Sequence, residues 1–439
     1  MRDGEGGLGG CWLAVGTVGA DVVEMHVFLR LGFWLMALTM TGHVFAQTDV
    51  VGLYFTWLRD PATTMMVNWV NLYDHTAARV WYRAAGSSEW LSRDGVHSVA
   101  KPSVYQVRRV ELTALRPDTV YEVALGEVAP VDNKGVERFR TPPARLDRSV
   151  RFVAGGDMMH NREWLDTMNR GAGEKDPDFV FIGGDLAYAN GVDATRWVDW
   201  LQSCYRTLRT PDGRLIPLVL AIGNHEVRGH YNGRIPEDAP YFYGFFALPE
   251  NRSYYALDFG DYLSLITLDT DHTQRVEGAQ TAWLADALAS RAKRRFVFPN
   301  YHYPAYGTTK RSKDGGLPSE SELSKKIQRE WIPLFERHGV TAVFENDHHA
   351  YKRTHPIRAG KRDDANGIVY LGDGAWGVQP RPVVTPEEAW YLARAEARRH
   401  VFVVTLKPEG AVQVEAIDAT GQAFDECTFE TSRMRPSAP

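Results

Sequence analysis

The segment Phe179-Val180-Phe181-Ile182-Gly183-Gly184-Asp185-Leu186-Ala187-Tyr188 constrains this 439-residue chain more than any other stretch. Four consecutive apolar residues read as a strand buried on both faces, the pattern of a parallel strand in an α/β sheet. The two glycines that follow permit a sharp turn or a close backbone approach. Asp185 then stands at the C-terminal end of the strand, where open α/β sheets bind ligands. A phenol, Tyr188, comes three residues later.

The same design recurs along the chain. Arg151-Phe152-Val153-Ala154 runs into Gly155-Gly156-Asp157, and residues 216–222 run into Gly223-Asn224-His225-Glu226. Phe296-Val297-Phe298 leads to Asn300 and His302, and residues 340–344 lead to Glu345-Asn346-Asp347-His348-His349. Carboxylate, amide oxygen and imidazole form a ligand set for hard-to-borderline cations. Five strand ends so equipped suggest a two-metal hydrolytic site. In such a site Asp185 bridges the ions. Asp157, His349 and Tyr188 as phenolate complete one half, and Asn224, His302 and Asp347 the other. Two cations acidify a shared water, the resulting hydroxide attacks phosphorus in line, and His225 protonates the leaving oxygen.

Length predicts two or three domains, and 44% apolar with 24% charged residues is ordinary for a globular protein. A net charge of −5 gives no reason to expect a nucleic acid or an acidic membrane surface as partner. Residues 1–46 read as a leader whose working start is Met25: His26 and Arg30 are basic, 31–40 is apolar, and cleavage follows Ala46. The apolar run is shorter than the roughly 20 residues of a membrane span, so no stable span and a secreted or periplasmic location are expected. Of three cysteines, Cys11 falls in the leader. Cys204 and Cys427 show no zinc or redox spacing and are left open as a pair or as free thiols.

Residues 47–143 read as an all-β sandwich, with short strands at 65–70, 78–83, 105–112 and 121–125 between turn signals. No chemistry is assigned to it; a packing or spacer role is expected. Residues 149–432 alternate strands with helical periods at 193–208, 280–292 and 319–338, an α/β signature. A hairpin is expected across Gly260-Asp261, and 433–439 is expected to be a flexible tail.

The residues Gly184-Asp185-Leu186-Ala187-Tyr188, Gly223-Asn224-His225-Glu226, His302 and Asp347-His348-His349-Ala350-Tyr351 together resemble the purple acid phosphatases of the calcineurin-like metallophosphoesterase superfamily. Gly372-Asp373-Gly374 also fits. The resemblance runs from the sandwich to the C-terminus. It implies a fibronectin-type-III-like domain followed by an α/β domain of two sheets sandwiched by helices. It implies a secreted phosphomonoesterase acting on small phosphorylated substrates. It also implies a ferric ion at Asp157, Asp185, Tyr188 and His349, and a divalent zinc, manganese or iron at Asp185, Asn224, His302 and one more histidine. Met159 stands where the wider superfamily has a histidine ligand, and Tyr188 supplies the replacement of the purple branch.

One motif departs from the family. Its Gly-His-x-His is here Asn346-Asp347-His348-His349. Either Asp347 ligates the second metal, or the backbone shifts so that His348 does. A carboxylate there adds negative charge, which predicts an activity optimum less acidic than the family norm. Two rivals share the residues: a phosphodiesterase or nucleotide pyrophosphatase with the same centre, and a non-catalytic surface-binding protein with a degraded site. His160 is a lesser candidate for substrate contact, and Lys310-Arg311-Ser312-Lys313 reads as a solvated run.

Overall fold

The computed structural model describes residues 50–72, 77–230 and 233–430, so the expected leader and tail lie outside the described residues. Eight strands come first among the described residues: β1 (Val50–Thr56), β2 (Met65–Asn71), β3 (Arg79–Ala84), β4 (Leu91–Asp94), β5 (Val96–Val99), β6 (Gln106–Leu112), β7 (Val120–Leu125) and β8 (Glu137–Arg140). They form two antiparallel four-stranded sheets, ordered β1-β2-β6-β5 and β4-β3-β7-β8. Their alternation supplies the core between the sheets: Val107, Val110 and Leu112 from β6 are buried, as are Tyr121 and Val123 from β7. The Phe139 ring lies 4.9 Å from that of Phe55 and stacks on Tyr121 at 5.6 Å.

The sandwich is packed into the rest of the protein. Trp57, just past β1, sets its ring 5.5 Å from Phe259 and 6.3 Å from Phe179. The Tyr54 hydroxyl donates to the Phe245 carbonyl at 2.5 Å. A Cβ on Gly52 would come within 3.0 Å of the Leu201 Cβ, so that glycine permits the close approach. Arg148 pairs with Asp118 of the sandwich at 2.9 Å and with Asp178 of the next domain at 2.7 Å. Of the two roles expected, the structure displays packing.

The second domain holds β9 (Val150–Gly155), β10 (Phe179–Ile182), β11 (Leu218–Leu220), β12 (Tyr255–Phe259), β13 (Leu263–Thr267), β14 (Phe296–Asn300) and β15 (Val343–Phe344). After them come β16 (Tyr351–Thr354), a ribbon of β17 (Ile357–Arg358) and β18 (Lys361–Arg362), then β19 (Tyr370–Gly372), β20 (Leu392–Glu396), β21 (Val401–Leu406), β22 (Ala411–Ile417) and β23 (Ala423–Glu430). One sheet is ordered β11-β10-β9-β21-β22-β23, the other β12-β13-β14-β15-β19-β16-β20. Strands β9, β10 and β11 run parallel, and so do β13, β14, β15 and β19.

Period-two alternation presses the two sheets together. In β14, Phe296 and Phe298 face the first sheet's core, while Val297 faces outward into a second cluster. The Phe152 ring of β9 lies 5.5 Å from Phe298 and 6.1 Å from Phe344. Helices cover the outer faces. α1 (Arg162–Gly173) is capped by Asn161, and α2 (Ala194–Thr207) by Asp193. A one-turn α3 (Pro240–Phe245) packs under the sandwich through Phe245. α4 (Ala279–Ser290), α5 (Glu322–Glu330) and α6 (Ile332–His338) bring Leu284, Ile327 and Phe335 to the outward cluster.

Several expectations are corrected. The single helix expected over 319–338 is two, because Pro333 has no N–H to donate and is accommodated only in the first turn of α6. The strand expected over 216–222 shrinks to β11. α1 was not anticipated, its two internal glycines having obscured a period carried by Leu165, Met168 and Ala172. Cys204 and Cys427 are both free thiols. Among the described residues, no helix is long and apolar enough to cross a membrane.

The Asp118 carboxyl gives the junction a pH signature. Burial opposes its charge, but Arg148 and Arg140 outweigh it and hold its pKa below the ordinary value. A depressed folded-state pKa stabilises above the unfolded carboxylate range, near pH 4, and is lost as pH falls through the folded value. Asp118→Asn is therefore expected to lower the melting temperature at pH 7 by a few degrees at most, since an ion pair this exposed contributes about 1 kcal/mol or less. The difference from the parent should close below about pH 3 in a thermal-melt series.

Candidate metal centre

The parallel strands deliver their C-terminal residues to one place. Asp157 follows β9, Asp185 follows β10, Asn224 follows β11, His302 follows β14, and Asp347 and His349 follow β15. Ligand atoms of Asp157, Asp185 and His302 all lie within 4.8 Å of one another, and all three side chains are buried. Among the described residues, this is the group that geometry marks for a metal ion.

The chain bends sharply to achieve this. Asp157, Asp185, Tyr188, Asp347 and His349 have φ of 58°, 53°, 54°, 74° and 56°. Each left-handed residue costs on the order of 1–2 kcal/mol and persists only where its surroundings impose it. Glu226, buried and not singled out from the sequence, imposes one of these bends. Its carboxylate accepts the N–H groups of Asp185 (2.8 Å), Leu186 (2.9 Å) and Gly223 (2.8 Å). Burial and then the charge of Asp185 push its pKa upward, while two of those N–H bonds pull it back. Glycines leave the room. A Cβ on Gly374 would meet Asp157 Oδ2 at 1.8 Å, and one on Gly223 would meet Asp185 Oδ1 at 2.3 Å.

Two half-sites are visible. Around Asp157, Oδ1 accepts from the Tyr188 hydroxyl at 3.0 Å and lies 3.0 Å from His349 Nε2. The Tyr188 hydroxyl is also 2.9 Å from that nitrogen, and Asp157 Oδ2 accepts from the Asp347 N–H at 2.9 Å. Around His302, Nε2 lies 3.3 Å from Asp185 Oδ1, 3.1 Å from Asn224 Oδ1 and 3.7 Å from Asp347 Oδ1. His302 Nδ1 donates to the Gly183 carbonyl at 2.9 Å, which aims Nε2 at the cluster, the orientation a metal-ligating imidazole takes.

The electrostatics of these side chains suit a cation. Burial works against charge on Asp185, yet His302 and His225 hold it far below the usual carboxylate range. Burial opposes charge on His302 too, and the Asp185 carboxylate overrides it, raising the pKa to about 10. Burial, then Asp157 and Asp185, push the Tyr188 phenol well above its ordinary value. Carboxylates converging in a buried site are costly without compensating positive charge. The donor set of carboxylates, imidazoles, an amide oxygen and a phenol therefore fits a pair of metal ions.

His225 stands at the rim. Its backbone N–H donates to Asp185 Oδ1 at 2.8 Å, and its ring Nδ1 lies 2.5 Å from Asn190 Oδ1. Its Nε2 is 3.9 Å from Asp185 Oδ2. His160 stands against the Tyr188 and His349 rings, at 4.8 and 5.2 Å between centroids. The sequence reading missed His272, buried at the end of β13 with its ring 5.5 Å from that of His302. Burial and then His302 lower its pKa to about 3, so it stays neutral. The strand-end rule applied to residues 268–272 would have found it.

Lys310 corrects one expectation. It is not part of a solvated run, because its ammonium reaches both oxygens of Asp347, at 2.6 and 2.5 Å. Arg311 does stay at the surface, paired with Glu388 at 2.5 Å.

Gly374→Ala should place a methyl group against Asp157 and strain a backbone at φ 63°. The expected outcome is a fall in bound metal of one equivalent or more by elemental analysis, with roughly 1–2 kcal/mol lost from the fold. Undiminished metal content would show that the Asp157 half-site is not a metal site.

Comparisons with known proteins agree with this geometry. Residues 150–350 match the calcineurin-like phosphoesterase family model, and residues 50–141 match the model for the purple acid phosphatase N-terminal domain. An uncharacterized protein of Mycobacterium tuberculosis is 27% identical over 363 residues, covering 72% of this chain and 64% of that protein. Purple acid phosphatase 15 of Arabidopsis thaliana is 24% identical over 321 residues, covering 64% of this chain and 58% of that protein. The chain thus aligns with somewhat under two thirds of the length of these relatives. In fold, it resembles a purple acid phosphatase from yellow lupin seeds with a TM-score of 0.70 at 17% identity, covering 88% of this chain and 77% of that one. The chain thus carries a calcineurin-like metallophosphoesterase domain, preceded by a purple acid phosphatase N-terminal domain.

Proposed function

We propose that this protein is a secreted phosphomonoesterase with a binuclear centre, Fe(III) in one half and zinc, manganese or iron(II) in the other. The observation that carries the reading is the convergence of Asp157, Asp185 and His302 from the ends of strands in two different sheets. Asp157, Tyr188 and His349 would hold the ferric ion, Asn224, His302 and Asp347 the divalent one, and Asp185 both. Tyr188 favours iron(III), because a phenol whose pKa is raised by burial and by Asp157 gives up its proton only to a strongly acidic cation. The metal pair supplies, when bound, an acidified water and positive charge for the phosphoryl oxygens.

The chain's own residues do the rest. Asn190 anchors His225 Nδ1, which leaves Nε2 at the rim near Asp185, placed to protonate the leaving oxygen. Glu226 holds the Asp185 turn, so the bridging carboxylate keeps its orientation through turnover. A net charge of −5 gives no reason to expect nucleic acid, and the phosphoesterase domain supports small phosphorylated substrates. Secretion rests on the leader pattern at 25–46.

The test is hydrolysis of nitrophenyl phosphate by residues 47–439 supplied with iron plus zinc or manganese. Turnover is expected in the parent, and a loss of at least about a thousandfold in Asp185→Asn. His225→Ala should lower kcat by on the order of a hundredfold with an alkyl phosphate and by less with the nitrophenyl ester, whose leaving group needs a proton less. A folded, metal-loaded parent that turns over neither ester would overturn the phosphomonoesterase reading. Turnover of diesters alone would replace it with a phosphodiesterase.

A further inference from the structure

The pattern Asn346-Asp347-His348-His349 leaves open which side chain completes the half-site around His302. The His348 ring answers part of this. Its Nδ1 accepts backbone N–H groups from Thr308 at 2.9 Å and Thr309 at 3.1 Å. A ring nitrogen that accepts two donors carries no proton, so in the neutral imidazole the proton sits on Nε2. That nitrogen lies 3.6 Å from Asp347 Oδ2, where it faces the carboxylate as an N–H and not as a lone pair. His348 therefore offers the metal no ligand.

Asp347 is the residue that faces His302, at 3.7 Å. Its two oxygens already hold the Lys310 ammonium. Carboxylate and ammonium together carry no net charge, as a neutral histidine would. They differ from a histidine in one respect: the cation sits on the ligand atoms. A divalent ion binding at Asp347 must displace the ammonium or lie beside it, and like charges at ion-pair range repel. The half-site around Asp157 is arranged differently, with Tyr188, His349 and a backbone N–H as its partners.

We propose that Lys310 competes with the divalent ion for Asp347, so that the ammonium lowers the affinity of the half-site of Asn224, His302 and Asp347 for that ion. Because 46% of the Lys310 side chain is exposed, the ammonium can swing into solvent when a metal arrives. The inference rests on the metal-centre reading and not on the identity of the substrate.

The experiment is calorimetric titration with Mn²⁺, without substrate, of the chain loaded beforehand with one equivalent of Fe(III). One Mn²⁺ site is expected. Lys310→Met should tighten it at least tenfold and leave the Fe(III) content unchanged. Lys310→Arg should behave as the parent, and Asp347→Asn should lose the Mn²⁺ site. Lys310→Gln gives the same readout should the methionine variant fail to fold. A Mn²⁺ site unchanged in Lys310→Met would overturn the proposal while leaving the phosphatase reading intact. A parent that takes up neither ion would overturn both.

Discussion

The structure depends on the burial of Asp157 and Asp185 beside one another and beside His302. Two carboxylates in a dry site repel and lose hydration, and no packing of apolar groups compensates for that. The surrounding residues supply donors instead. Tyr188, His349 and the Asp347 N–H reach Asp157, while His225 and His302 reach Asp185. The backbone is left-handed at Asp157, Asp185, Tyr188, Asp347 and His349, all of which meet at this site.

What holds the gap at its width is a set of buried polar ties. The Asn346 amide donates to Asn300 and to the Tyr301 carbonyl. It also presses against two glycines of the opposite sheet: a Cβ on Gly183 would lie 1.7 Å from its Nδ2, and one on Gly156 would lie 2.5 Å from its Oδ1. Behind it, the buried Lys352 ammonium lies 2.6 Å from Asp373 and also pairs with Glu345. Glu345 in turn accepts from the Tyr301 hydroxyl and the Ala305 N–H. Burial pushes the Asp373 carboxyl up to about 7, the mark of an acid in a dry pocket that Lys352 only partly offsets. These groups tie the loop carrying His302 to the loop carrying His349.

The sandwich bears on the centre indirectly. Trp57 packs against Phe179, the first residue of the strand that ends in Asp185. Tyr54 and Arg109 both bond to carbonyls of α3, at Phe245 and Gly244. The N-terminal domain thus braces the layer that presents Asp185 and Asn224, and contributes no ligand of its own.

Much of this was legible in the sequence, because buried parallel strands end in glycine followed by a polar residue and that pattern is local. It placed Asp157, Asp185, Tyr188, Asn224, His302 and His349 at strand ends, and the structure brings them to one site. Helices with a clear period and a capping aspartate, such as α2, were equally plain. The residues that escaped act across long sequence separations. Glu226 bonds to a turn some 40 residues away, Asn346 to the end of β14 while touching Gly156 and Gly183 of the other sheet, and Lys310 to a carboxylate 37 residues on. The sequence by itself determined which side chains arrive at the centre, since a strand's end is set by its own neighbours. Only the tertiary structure decided their charge balance and tautomers, because those depend on which donor from another strand comes within hydrogen-bonding distance.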